Sequence, residues 1–269
     1  MLPSTFRAIQ QGRYIRLVRA EYEQDLLAQR SDTDCEIHSR GRGAIRALPL
    51  GESGDRMLLR QCRRGGVLAR AVGDVYLGYG RAVNEIRVSE CARDKGVPTA
   101  LVLGATCERV LGPLFRMEVI TKEIPNSCDL IHYLEAPRDR ALYPPRRRLI
   151  DAVAGAIRKM HDAGVYHADL HLKNLLIDAE GAAYILDLDR ARVVQSVGTG
   201  LRMANLLRLD RSVRKWEACR QAVTTADRLR FLRAYAGDDR RLLAACLRLF
   251  RRRRTYPVHR LFWKLMGIT

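Results

Sequence analysis

The stretch that most restricts the fold of this 269-residue chain is GVYHADLHLKNLLIDAEGAAYILDLDRAR, residues 164–192. It holds two short apolar runs, LLI and AAYIL, with DAEG between them. Runs of that length, bounded by glycine and acidic residues, read as strands rather than helices. Ionisable and amide side chains crowd their ends. His167, Asp169, His171, Lys173 and Asn174 precede the first run, and Asp187 and Asp189 stand at the end of the second. Such a segment must present its polar groups from a loop–strand–turn–strand unit.

Three chemistries compete for these residues. A zinc site would use His167 and His171, spaced i, i+4 as in H-E-x-x-H, but that motif needs a helix to bring both rings to one face. Here the pair follows the helix-ending Gly164 and precedes a strand, and no third ligand is signalled. Plain surface decoration would suit any one of the residues, yet it does not account for their joint spacing. Phosphoryl transfer does. That reaction needs a carboxylate to accept a hydroxyl proton, and an amide oxygen and a second carboxylate to hold magnesium across nucleotide phosphates. The template H-R-D-x-x-x-x-N followed by an Asp after a strand supplies them. Asp169 takes the base position, Asn174 the metal-amide position and Asp187 the metal-carboxylate position. Lys173, four after the base, stands either to steady the transferring phosphate or simply in solvent. Ala168 stands where protein kinases carry the arginine that reads a phosphorylated activation loop, so activity is expected without that modification.

The upstream chain falls in the matching order. CEIHSRGRGAIRALPL and GDRMLLRQC read as a hairpin or meander, with Gly41 and Gly43 letting backbone N–H groups approach phosphates. Arg60 is the candidate phosphate-side cation, and Glu85, on the helix RAVNEIRVSECARDKG, is its expected partner. ALVLGATCERVLGPLFRMEVITKEI is strand-rich, with turns expected at Gly104 and at Gly112-Pro113. Apolar residues at Leu149, Ile150, Val153, Ile157 and Met160 mark one helix face, stopped by Gly164. From Leu201 onward the pattern is helical. The chain therefore reads as a basic helical arm over 1–30, a small β-rich lobe over 31–124 and a larger helical lobe over 125–269, with a hinge near 121–126.

Bulk properties narrow the partners. Forty-eight Lys and Arg against 30 Asp and Glu give a net charge of +18, which favours an anionic partner. No RNA- or DNA-reading motif appears, so nucleic acid is not expected. The seven cysteines are scattered and form no C-x-x-C pair, which argues against a disulfide framework and for a reducing compartment. No secretory signal and no run of about 20 apolar residues is evident.

At this point the chain resembles the lipopolysaccharide-core sugar kinases, in particular the 3-deoxy-D-manno-octulosonic acid (Kdo) kinases and their relatives that phosphorylate heptose. GRGAIRAL, LLRQCRRGG, YLGYGRAVNEIRVSECARDKGVPTA, HDAGVYHADLHLKNLLID, YILDLDRAR and NLLRLDRSVRKW carry the resemblance, over roughly residues 38–216. It implies an α+β, protein-kinase-like bilobal fold. It also implies transfer of the ATP γ-phosphate, with Mg, to a sugar of the anionic Kdo–lipid A inner core at the cytoplasmic face of the inner membrane. Carried over by position, Asp169 is the base, Asn174 and Asp187 are the metal ligands, and Arg60 and Glu85 form the N-lobe pair.

Three features bear on the acceptor. The loop reads Asp-Leu-His where Kdo kinases of the family usually show Asp-Leu-Asn. Arginine rather than lysine on the third strand leans toward the Kdo branch. The long tail over 217–269 is closer to the heptose kinases, and its end, LRLFRRRRTYPVHRLFWKLMG, mixes four arginines with Phe, Trp and Leu, the pattern either of an interfacial anchor or of a terminal helix packed on the large lobe with its arginines in solvent. Other readings are an aminoglycoside-phosphotransferase-like enzyme of the same fold, or a catalytically dead protein that binds an anionic ligand.

Overall fold

The computed structural model describes residues 1–28, 36–39, 44–52, 54–62, 74–135 and 143–251. Gly41, Gly43, the R-R-G-G run and the tail beyond residue 251 lie outside the described residues. The chain divides into two compact units. The first takes residues 1–127 together with two later segments, 167–169 and 184–193. The second takes 128–166, 170–183 and the chain from 194. The sequence reading placed a single boundary after 124 and put Asp169 and Asp187 in the later lobe. Both belong to the first unit, because the short strand ending at Ile185 is stitched to it. Ile185 N donates to Pro98 O (2.9 Å), and Thr99 Oγ1 donates to Ile185 O (2.6 Å).

The first unit is built on one antiparallel sheet. Its strands are β1 (Phe6–Gln11), β2 (Tyr14–Arg19), β3 (Glu36–Ser39), β4 (Ala44–Leu50), β5 (Asp55–Gln61), β6 (Tyr76–Leu77), β7 (Val102–Leu111) and β8 (Leu114–Lys122). They lie in the order β1-β2-β7-β8-β5-β4-β3, with β6 also on β8. Helix α1 (Glu23–Ala28) follows β2, and α2 (Gly80–Asp94) follows β6. Successive residues of a strand point to opposite faces, so neighbours such as Leu17 and Val18, Val102 and Leu103, and Val119 and Ile120 enter different cores. One core takes Ala82 and Ile86 of α2, and the other takes Leu26 of α1.

Two sequence expectations change here. The helical arm expected over 1–30 is largely the β1–β2 hairpin, paired from Phe6↔Arg19 to Gln11↔Tyr14. Gly12 at φ 58° closes its two-residue loop, and Tyr14, Ile15 and Val18 are the β-branched and aromatic residues that pack well on a pleated surface. Helix α1 alone survives of the arm. Gly104 is not a turn but lies inside β7, at a shift in register with β8. A Cβ there would stand 2.5 Å from Leu17 O, so glycine is what lets β2 lie alongside.

The second unit is helical: α3 (Leu130–Glu135), α4 (Arg146–Asp162), α5 (Thr199–Lys215), α6 (Glu217–Ala222), α7 (Thr225–Ala236) and α8 (Arg240–Arg251). The expected face of α4 is the buried one, with Leu149, Val153, Ile157 and Met160 at 5% exposure or less. Helix α7 begins in a capping box: Asp227 N donates to Thr224 Oγ1 (3.1 Å), and Thr224 N donates to Asp227 Oδ2 (2.8 Å). Arg158 of α4 donates to the carbonyls of Tyr235 and Ala236 at its other end (3.0 and 2.9 Å). The Arg158 contacts tie α4 to the C-terminal end of α7, a cation on otherwise unsatisfied carbonyls. No helix among the described residues is long and apolar enough to cross a membrane.

Candidate active site

The sequence pairs Arg60 with Glu85, and the structure does the same. Arg60 leaves β5 and meets Glu85 on α2, its NH2 group donating to both carboxylate oxygens (2.7 and 2.9 Å). The Glu85 side chain is only 5% exposed. Burial pushes its carboxyl above the ordinary value, while the Arg60 guanidinium opposes that shift. Glu85 in turn holds the Arg60 guanidinium above its ordinary value. Cys62, at the end of the same strand, is buried, and its thiol is pushed up to about 12, chiefly by burial and then by Glu85. It is a core thiol, not a nucleophile.

Asp187 joins this pair. Its Oδ1 lies 3.2 Å from Arg60 NH2, and that oxygen is buried without a hydrogen-bond partner. That oxygen meets Arg60 as an ion pair and accepts no directed hydrogen bond among the described residues. Among the described residues no cluster of three or more His, Cys, Asp or Glu forms a metal cage. Magnesium in nucleotide sites is held by one or two carboxylates plus substrate phosphates, so Asp187 fits that ion.

The backbone around Asp187 is anchored by His167. Asp169 N–H donates to His167 Nδ1 (3.1 Å), so that nitrogen carries no proton and the hydrogen sits on Nε2. Nε2–H donates to Leu186 O (2.9 Å). A ring 1% exposed thus ties the residue before Asp187 to the residue that carries the candidate base. Asp169 itself is exposed.

Lys173 and Asn174 belong to the second unit, in the 3-10 turn Leu172–Asn174. Leu172 N donates to Ser212 Oγ (3.2 Å), which donates to Leu209 O (2.7 Å), so α5 fixes the turn. Asn174 is buried. The Lys173 ammonium lies over the Trp216 ring, 4.8 Å from its centroid. Trp216 has extended dihedrals and breaks the helical run between α5 and α6.

The sequence reading missed Arg81 and Asn84. Asn84 Nδ2 donates to Asp189 O (3.0 Å) and Ala191 O (3.2 Å), and Arg81 pairs with Asp189 Oδ2. A signal existed, since Arg81 and Asn84 stand four and one before Glu85, on the helix face that Glu85 was expected to turn inward.

Comparison with known proteins follows the same line. The lipopolysaccharide kinase (Kdo/WaaP) family model matches residues 27–235. A 3-deoxy-D-manno-octulosonic acid kinase of Vibrio cholerae serotype O1 is 34% identical over 170 residues, 61% of this chain and 68% of that one. The protein of the same name from Stenotrophomonas maltophilia is 30% identical over 218 residues, 75% of this chain and 84% of that one. Among solved structures, WaaP in complex with acyl carrier protein matches with a TM-score of 0.50 and 23% identity, over 86% of this chain and 91% of that one. That likeness is one of fold.

Proposed function

Because the chain belongs to the lipopolysaccharide kinase (Kdo/WaaP) family, and is a phosphotransferase, we propose that it moves the γ-phosphate of ATP to a hydroxyl of Kdo on the lipid A inner core, with heptose as the second candidate acceptor. The observation that carries the reading is the Arg60–Glu85–Asp187 constellation, in which a buried ion pair holds a carboxylate with one unsatisfied oxygen.

Each residue then has a role. Asp169 accepts the proton of the attacking sugar hydroxyl, and its exposure leaves room for that acceptor. Arg60, fixed by Glu85, supplies positive charge toward the nucleotide phosphates, and Lys173 adds a second cation at the transferring group. Asp187 would hold magnesium, which when bound neutralises charge on the phosphates; Asn174 takes the second ligand position by motif spacing alone. The net charge of +18 suits an anionic glycolipid, and the arginine-rich tail suits peripheral attachment to the cytoplasmic face of the inner membrane.

Incubation with Mg-ATP and either Kdo–lipid A or a heptosylated acceptor, read by mass spectrometry, tests the assignment. One added phosphate on the Kdo acceptor is the expected result. Transfer only to the heptosylated acceptor moves the assignment to the second sugar. Transfer to an aminoglycoside and to neither glycolipid refutes it.

A further inference from the structure

Glu85 does not act alone on its face of α2. Arg81, Asn84 and Glu85 are spaced i, i+3 and i+4, which stacks their side chains on one side of the helix. All three reach Asp187 or the segment just after it. Glu85 does so through Arg60, Asn84 through the carbonyls of Asp189 and Ala191, and Arg81 through the Asp189 carboxylate. We propose that Arg81 and Asn84 are positioning residues that hold Asp187 in the one backbone geometry able to receive the nucleotide's magnesium. The inference rests on the kinase reading above.

Asp187 needs such help. Its φ is 62°, in the left-handed region, which residues other than glycine adopt at a steric cost. Residues stay there only when their surroundings over-determine them. On the N-terminal side, His167 Nε2–H binds the carbonyl of Leu186. On the C-terminal side the work falls to Asn84. Its amide has two N–H groups, and its Nδ2 serves two carbonyls, two residues apart. Arg87 NH2 donates to Asn84 Oδ1 (2.9 Å), which orients the amide so that Nδ2 faces the segment. No carboxylate at this position could make those bonds, because both partners are acceptors.

Arg81 adds a charged lock. The Asp189 side chain is 7% exposed, so its carboxylate depends on the Arg81 guanidinium for compensation. That guanidinium also lies over the Tyr76 ring, 4.7 Å from the centroid, which limits its alternatives. Asp189 replaces a residue type that protein kinases keep small and mobile, the glycine of D-F-G. Here the position is charged, buried and tied to the helix that also carries Glu85. The device couples α2 to the metal carboxylate without a phosphorylated loop, in keeping with Ala168 after His167.

The test uses the full chain and two variants, Asn84→Ala and Asp189→Asn. Thermal stabilisation by ADP is measured against magnesium concentration, and ADP binding is measured separately in EDTA. The expected result is a magnesium midpoint raised by about 10- to 100-fold in both variants, the usual effect of losing a group that supports a metal ligand, with ADP binding in EDTA unchanged. Turnover falls at low magnesium and recovers in part at high magnesium. A midpoint equal to that of the unaltered protein, with or without a lower melting temperature, means the contacts are merely structural and overturns the proposal. If Asn84→Ala does not fold, Asp189→Asn decides in the same way. If the unaltered protein shows no magnesium-dependent stabilisation by ADP, the kinase reading fails, and the inference with it; that outcome is read before any variant is compared.

Discussion

Replacing Arg60 with methionine removes the cation and keeps most of the side chain's apolar bulk. It leaves Glu85, 3% exposed, without its close partner at 2.7 and 2.9 Å. Breaking a buried pair from one side costs about 3–5 kcal/mol. Because the Arg60 side chain is 31% exposed, water softens the loss, and we take the lower end, about 3 kcal/mol. At about 2–4 °C per kcal/mol for a protein of this size, the melting temperature falls by about 6–12 °C. The double variant Arg60→Met/Glu85→Leu removes the orphaned charge and should recover most of that loss. The pH dependence carries a definite sign. Without Arg60, the burial that already raises the Glu85 carboxyl acts with less opposition. The folded state then binds a proton that the unfolded state does not, so stability falls as pH rises from the ordinary carboxylate value to the raised folded value. The gap between Arg60→Met and the unaltered protein must therefore narrow as pH is lowered through that window. Urea titrations of all three proteins across pH measure it. A gap that does not change with pH, or a double variant as unstable as the single one, refutes the argument from a buried orphaned charge.

Two further outcomes follow from the site. Asp169→Asn, at an exposed position, should leave the melting temperature unchanged and lower turnover by about 100- to 10,000-fold, the usual contribution of a general base; retained turnover would remove Asp169 from that role. Lys173→Met should lower turnover by about 100-fold if its ammonium meets charge developing on the transferring phosphate, while loss of the Trp216 contact lowers stability by only about 0.5–1 kcal/mol. A variant with full turnover and that same small stability loss would make Lys173 a structural residue.

Local pattern was sufficient for much of this molecule. The face of α4, the strands β4, β5, β7 and β8, and the order in which Arg60, Glu85, Asp169, Asn174 and Asp187 follow one another are set by hydrophobic period and by motif spacing, both short-range properties. The β1–β2 hairpin escaped that reading because its pattern is weak on the outer strand, where only Phe6 is buried. Gly104 escaped it because the reason for a glycine there is the Leu17 carbonyl, 87 positions away in the chain.

The sequence by itself determined the candidate chemistry: two carboxylates, an amide and a cation at kinase spacing, in the lipopolysaccharide kinase family. Only the tertiary structure decided what holds them. Asn84 meets Asp189 and Ala191 from more than 100 positions away, and Arg60 meets Asp187 across a similar gap. No local periodicity encodes such contacts. They exist because the sheet buries one face of α2, and the polar stripe beside that face must then satisfy its charges and amides on whatever segment lies against it.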